Sequence, residues 1–274
     1  VIDATGTWAQ PNPVHADNVW TKAEKQLANA IFYGIPNVDE LKERYSGKRV
    51  AVVGGGHSAI NTILELEKLK DVEITWILRK KRVEDAYGGE DKDALAARGE
   101  LGSRIHKLVD EGKVNVYTPF YIQQLQQTEA GIIIKGEGPN GEQQLPAVDE
   151  IIANTGSRPD FSFLNEIRLS IDTAVESVAA LAPLIDPNEH SCGTVRPHGE
   201  LELRQPEAGF YIVGMKSYGR APTFLMATGY EQVRSIVAYL TGDLEAARKV
   251  ELDLPETGVC SLDLSSSSTG TSCC

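Results

Sequence analysis

The chain has 274 residues, is 41% hydrophobic and 24% charged, and carries a formal net charge of −12. Such a composition belongs to a globular protein; its negative charge argues against a nucleic-acid binder, and no apolar run reaches the length of a membrane span. The four cysteines, Cys192, Cys260, Cys273 and Cys274, leave the first 191 residues without a thiol, which fits a reducing, cytoplasmic compartment better than a disulfide framework.

The chain opens on VIDATG, with neither an initiator Met nor a signal peptide. Residues 1–4 read as the interior of a buried strand, so a segment is expected N-terminal to Val1. Residues 8–45, with prolines at 11, 13 and 36, read as a connector with one helix near 22–30. Residues 48–53 form a short β-branched strand bounded by glycines, 58–70 a helix with apolar residues at Ile60, Ile63, Leu64, Leu66 and Leu69, and 72–78 the next strand. A helix over 91–110, broken at Gly99 and Gly102, precedes a strand at 114–117. The period then changes to two: strands at 121–128, 131–136 and 143–147 make a meander, with GPNGEQ as the last turn. Residues 150–154 return to the interior, 167–207 are weakly patterned, 210–213 form a strand, and 222–240 a helix with Pro222 in its first turn. After Leu254 the composition shifts to Ser, Thr and Gly, a flexible tail.

The order strand, glycine turn, helix, strand is the context that gives G-x-G-x-x-G/A a meaning. Its three positions are Gly54, Gly56 and Ala59. Gly54 permits the tight turn, Gly56 lets a pyrophosphate approach the backbone, and Ala59 lets the helix pack close to the strand. The helix start, with His57 and Ser58, offers N–H groups and a positive dipole end to phosphate; His57 reads as a polar group beside that start rather than a catalyst. The second strand stops at Arg79, Lys80, Lys81 and Arg82 instead of an acidic residue. Guanidinium groups grip a 2′-phosphate in bidentate fashion, so the expected ligand is NADPH, with Arg79 first for the phosphate and Lys80 and Arg82 next.

DATG at 3–6 and ANTG at 153–156 each follow an apolar strand and flank this unit; GFYIVGMKSYGRAPTFLMATGYEQVRSIVAYLTG closes the globular part. In this order the peptides resemble the flavoproteins with two dinucleotide-binding domains, which include the thioredoxin reductase-like enzymes and the flavin-containing monooxygenases. The resemblance covers Val1 to about Asp243. It implies an α/β fold in which a Rossmann-like NADPH-binding domain with a β-meander is inserted into an FAD-binding domain. Domains are then expected at 1–45 (FAD-domain remnant and connector), 46–155 (NADPH), 156–253 (C-terminal part of the FAD domain) and 254–274 (Ser/Cys tail). Thr5-Gly6 and Thr155-Gly156 would be domain-crossing turns, Gly214 and Met215 would lie by the FAD ribityl and phosphate, and Thr223 and Phe224 would be nearest the flavin pyrimidine ring. Three departures stand out: the FAD βαβ unit would lie before Val1, so this chain should hold FAD poorly; Met215 replaces the usual Asp; and Asn154 interrupts the usual Ala-Thr-Gly.

The resemblance implies an NADPH-dependent flavin oxidoreductase that passes a hydride from NADPH to FAD and then to oxygen or another acceptor, with a small-molecule substrate or acceptor as partner and a homodimer allowed. Residues 46–155 hold no C-x-x-C, the C-terminal remainder is too short for a glutathione reductase-like dimerisation domain, and no monooxygenase fingerprint precedes the NADPH strand. No side chain stands out as acid or base. Two rivals remain: a flavin-free NADP-dependent dehydrogenase, and a non-enzymatic NADPH sensor or metalloid-binding module using Cys273 and Cys274. LPETG at 254–258 reads as coincidence, because no membrane segment follows it.

Overall fold

The computed structural model describes residues 1–90, 96–186 and 198–252. The described residues divide into two units, one formed by Val14–Asn154 and the other by Val1–Pro13 with the described residues of 155–252. Strand β1 (Ile2–Asp3) belongs to the second.

The unit Val14–Asn154 begins with α1 (Lys22–Gln26), where the Thr21 hydroxyl accepts the Glu24 N–H at 3.1 Å and so satisfies a helix-start donor. The fully buried Glu24 accepts the Val14 N–H and the Tyr33 hydroxyl, each at 2.8 Å, fastening the entry segment to β2 (Ile31–Tyr33). There follow α2 (Lys42–Tyr45), β3 (Arg49–Val53), α3 (His57–Leu66), β4 (Glu73–Ile77), α4 (Ala96–Asp110) and β5 (Val114–Tyr117). An antiparallel meander, β6 (Tyr121–Thr128), β7 (Gly131–Gly138) and β8 (Gly141–Gln144), leads to β9 (Glu150–Ala153).

Strands β2-β9-β3-β4-β5 form one parallel sheet in that order. From β3 the chain progresses outward through β4 and β5, whereas β9 and β2 lie on its other side. The order therefore reverses between β3 and β9, the switch point beyond whose carboxyl ends such sheets bind ligands. Successive residues of β3 point to opposite faces. Val50 and Val52 pack with Ile60, Ile63 and Trp76 on one face; Ala51 and Val53 pack with Ile122, Ile132 and Ile134 of the meander on the other. Burial on both faces explains why β3 reads as a continuous apolar run.

In the other unit come α5 (Ala182–Ile185), α6 (Glu200–Leu203), β10 (Tyr211–Ile212), α7 (Met215–Tyr218), α8 (Met226–Leu240) and α9 (Leu244–Arg248). Strand β10 pairs in parallel with β1 and is buried in a cluster with Val175, Leu203, Tyr218 and Ile236. Near the C-terminal end, the buried Glu231 accepts the Leu252 N–H at 3.1 Å, and Arg234 donates to the Ala246 carbonyl at 2.8 Å and to the Lys249 carbonyl. No described helix is long and apolar enough to cross a membrane.

Several expectations from sequence need correction. Residues 8–45 are more than a connector: β2 pairs with β9 at the edge of the large sheet. Three residues are too short to show a period, and the pairing partner lies over a hundred positions away. The glycines at 99 and 102 do not break α4; Gly102 is there because a Cβ would sit 2.0 Å from the Tyr87 carbonyl oxygen. Residues 91–95 lie outside the described residues. The third meander strand is Gly141–Gln144 rather than 143–147, while Leu145 stays tied to β7 by one hydrogen bond, to Ile134, and Val148 by two, both with Ile132. Helix α8 starts at Met226, not Pro222, because Leu225 is extended at φ −118, ψ 147. In β1 only Asp3 is buried; Val1 and Ile2 are exposed.

Candidate nucleotide-binding site

The turn between β3 and α3 is built from bare backbone. Gly54 has φ +138, and a Cβ there would lie 2.3 Å from the Asn154 carbonyl oxygen. Only glycine lets the turn close against the end of β9. The Gly54 N–H donates to the Ile77 carbonyl at 3.1 Å. The indole of Trp76, fully buried, donates to the Gly54 carbonyl at 2.8 Å. The turn is thus held from β4 and from β9 at once.

Gly56 is different. Its backbone is extended, φ −105 and ψ 178, and nothing lies within 4 Å of where its Cβ would be. The fold does not require glycine there, and the backbone is left open to a group approaching from outside. The N-cap Gly56 gives α3 no side-chain cap, and the helix's own first turn holds no acidic residue, so the helix itself supplies no negative charge to the positive end of its dipole. His57 is exposed, Ser58 half-buried, and Ala59 fully buried under β3. An anion is the ligand this arrangement accommodates.

The cations follow β4 and stand in three different situations. Arg79 is exposed, with one long bond of 3.4 Å to the Ala16 carbonyl. Lys80 lays its stem beside Gly55, its Cε 3.2 Å from where a Cβ would be, and donates its ammonium to the Asp85 carbonyl. Arg82 pairs with the Asp85 carboxylate at 3.0 Å, and its N–H reaches the other oxygen at 3.3 Å. The hydrogen bond from Arg82 holds the Asp85 carboxyl below the usual carboxylate range. The turn's own carbonyls are held by the Thr118 hydroxyl on Lys80 and the Tyr121 hydroxyl on Arg79. So Gly54, Gly56, His57, Ser58, Ala59, Arg79, Lys80 and Arg82 all gather at the carboxyl ends of β3 and β4.

In the other unit, Thr5 and Gly6 follow β1. Lys216, wholly buried, joins three segments: its ammonium lies 2.7 Å from Asp3, 3.1 Å from the Thr5 hydroxyl and 2.7 Å from the Asp160 carbonyl. It also stands over the rings of Phe161 and Phe163. Burial pushes the Asp3 carboxyl up, but hydrogen bonds from Lys216 and Thr5 outweigh it and leave the group below its ordinary value. Thr155-Gly156 runs beside the first segment: the Thr155 hydroxyl donates to the Asn12 carbonyl at 2.7 Å, and the Asn12 N–H to the Gly156 carbonyl at 2.9 Å.

At the end of β10, the Gly214 N–H donates to Gln232 at 2.7 Å, and the Thr7 hydroxyl lies 3.2 Å from the Met215 sulfur. A Cβ at Gly229 would sit 2.9 Å from the Phe224 ring and 3.8 Å from the Gly214 Cα, so the start of α8 abuts that turn. Helix α8 carries no side-chain cap and no acidic residue in its first turn, and the Thr223 hydroxyl is covered without a hydrogen-bond partner. Thr223, Phe224, Gly214 and Met215 therefore lie together.

Sequence reasoning missed Trp76, Asp85, Gln232 and Lys216. The signal for Lys216 was present, since it adjoins Met215, but its partner Asp3 lies at the other end of the chain. Among the described residues no group of His, Cys, Asp and Glu could hold a metal ion; Cys192, Cys260, Cys273 and Cys274 lie outside the described residues.

Residues 1–191 match the family profile described as pyridine nucleotide-disulphide oxidoreductase. The ferredoxin–NADP reductase of Lactiplantibacillus plantarum is 31% identical over 160 residues, 57% of this chain and 40% of that protein. The ferredoxin–NADP reductase of Enterococcus faecalis is 24% identical over 94% of this chain and 66% of its own length. The chain thus spans between 40% and 66% of these two relatives. Among solved structures, the bacillithiol disulfide reductase of Staphylococcus aureus superposes with a TM-score of 0.57 at 18% identity, covering 88% of this chain and 61% of that one. The thioredoxin reductase of T. acidophilum does so at 0.53 and 14%, covering 90% and 62%. These likenesses show a two-domain Rossmann-type fold.

Proposed function

The chain belongs to the pyridine nucleotide-disulphide oxidoreductase family, and from that premise we propose that it serves an NADPH-dependent flavin oxidoreductase of the reductase type. The observation that carries this reading is the open approach to Gly56 beside an uncapped helix start, with exposed Arg79 one strand away. The pyrophosphate meets the backbone at Gly54–Gly56 and the start of α3. The adenosine half extends toward β4, where Arg79 receives the 2′-phosphate in charge-assisted hydrogen bonds. The nicotinamide half extends over the ends of β9 and β2.

The Gly214 turn, the start of α8 and the Thr223 hydroxyl fit FAD. An uncapped dipole favours an electron-rich ring edge, and a covered hydroxyl without a partner suits a donor to a ring acceptor. Bound there, FAD would supply two-electron chemistry between NADPH and the acceptor. This chain's residues position and tune: Gln232 fixes the Gly214 N–H, Lys216 ties the ends of β1 and β10 together, and Met215 supplies no carboxylate to that turn. The relatives named as reductases favour an acceptor other than oxygen.

Calorimetric titration of the chain with NADP⁺ and NAD⁺ tests the coenzyme. Tighter binding of NADP⁺ is expected, and Arg79→Ala should reduce that preference by about tenfold, the value of one charge-assisted contact. Equal affinity for the two coenzymes in the unaltered chain refutes the reading.

A further inference from the structure

Asp85 engages two of the four cations after β4. Its carbonyl holds the Lys80 ammonium, and its carboxylate holds both the guanidinium and the N–H of Arg82. Position 85 is not where an acidic residue would serve ribose hydroxyls; it folds back on the cationic turn itself. On the NADPH reading above, that carboxylate shares its partner with the ligand's 2′-phosphate. We propose that Asp85 sets the strength of coenzyme discrimination by competing with the 2′-phosphate for Arg82.

The competition follows from exposure and charge. The Arg82 and Asp85 side chains are 54% and 30% exposed, so water screens their pair and it exchanges easily. A phosphate ester is a stronger, bidentate acceptor for a guanidinium than one carboxylate oxygen. Binding NADPH therefore means drawing Arg82 off Asp85. It also leaves an ionised carboxylate beside a phosphate carrying between one and two negative charges. Neither effect touches NADH, which has no charge at that place. Asp85 thus narrows the gap between the two coenzymes while its backbone carbonyl keeps Lys80 packed along the glycine turn. Arg79, whose guanidinium among the described residues makes one bond, of 3.4 Å to the Ala16 carbonyl, stays outside this competition.

The test uses the full chain, with 2′,5′-ADP and 5′-AMP as probes that carry and lack the 2′-phosphate, titrated by calorimetry at low salt. Asp85→Asn keeps an oxygen for the Arg82 N–H and removes the charge. It should bind 2′,5′-ADP about three- to tenfold tighter and 5′-AMP as before. In an Arg82→Gln background the same change should gain less than twofold. Unchanged or weaker 2′,5′-ADP binding by Asp85→Asn overturns the proposal, and so does a full gain without Arg82. Should Asp85→Asn lose 5′-AMP as well, its fold has failed, and Asp85→Ser, with the same expected gain, decides. If the unaltered chain binds both probes equally, the NADPH reading falls and takes this proposal with it. An intact preference unmoved by both substitutions defeats this proposal alone.

Discussion

A methyl group at position 56 would project into open space, with no heavy atom within 4 Å and a backbone, φ −105 and ψ 178, that alanine adopts freely. Gly56→Ala should therefore leave the fold intact. It should even stabilise it by about 0.4–1 kcal/mol, because the unfolded chain loses freedom, which raises the melting temperature by about 1–4 °C. Nucleotide binding should suffer instead. On the proposed binding mode, the methyl would occupy the space through which a diphosphate would reach the N–H groups of the turn. Each charge-assisted bond is worth about 1.5–3 kcal/mol, so losing one and lengthening another costs about 2–4 kcal/mol. That is about a 30- to 1,000-fold rise in Kd for NADPH. Calorimetric titration beside a thermal melt measures both quantities on one sample. Gly54→Ala is the contrast: its methyl would lie 2.3 Å from the Asn154 carbonyl at φ +138, so it should melt well below the unaltered chain. Binding by Gly56→Ala within threefold of the unaltered chain would refute the reasoning, as would a melt depressed like that of Gly54→Ala.

Lys216→Met strands the Asp3 carboxylate in the interior and should cost about 3–5 kcal/mol near neutral pH, measured by urea unfolding, with Asp3→Asn in the same chain restoring more than half. With the cation in place Asp3 has a depressed pKa, so its contribution is present above its unfolded value and lost as pH falls through the folded one; without the cation, burial reverses the shift and the variant loses stability as pH rises from about 4. The gap should thus be wider at pH 7.5 than at pH 4.5, and a gap independent of pH would rule this account out. Trp76→Phe removes the bond to the Gly54 carbonyl and should cost about 1–3 kcal/mol of stability, with a several-fold weaker hold on NADPH; unaltered affinity in the folded variant would show that the indole does not set the turn.

The parallel sheet and its glycine turn were legible because β3 and β4 are buried on both faces and announce themselves as apolar runs. The meander showed through its period of two. What escaped reading depends on partners distant in sequence. Strand β2 exists through β9, and nothing in three residues reveals that. The glycines of α4 resemble helix breakers until the Tyr87 carbonyl is placed against Gly102. Around the glycine turn, backbone geometry restricts residue type at Gly54 and close packing restricts it at Ala59, whereas Gly56 is legible only through its place in the strand-turn-helix pattern. The cations were identifiable only as a run: sorting Arg79 from Lys80 and Arg82 requires knowing that Asp85 folds back onto the latter two. Lys216 shows the same limit, since a lysine beside a glycine turn gives no hint of being entirely enclosed.

The clasp formed by Glu231 and Arg234 has a practical corollary for anyone trimming or tagging this protein. Cutting the chain back to the end of α8 would strip from Glu231 the two backbone donors at Glu251 and Leu252, and from Arg234 the carbonyls of Ala246 and Lys249. An enclosed acid and its base would then face each other with their remaining valences idle. Shortened versions should therefore keep Leu252, and an affinity handle or fluorophore is better grafted beyond it.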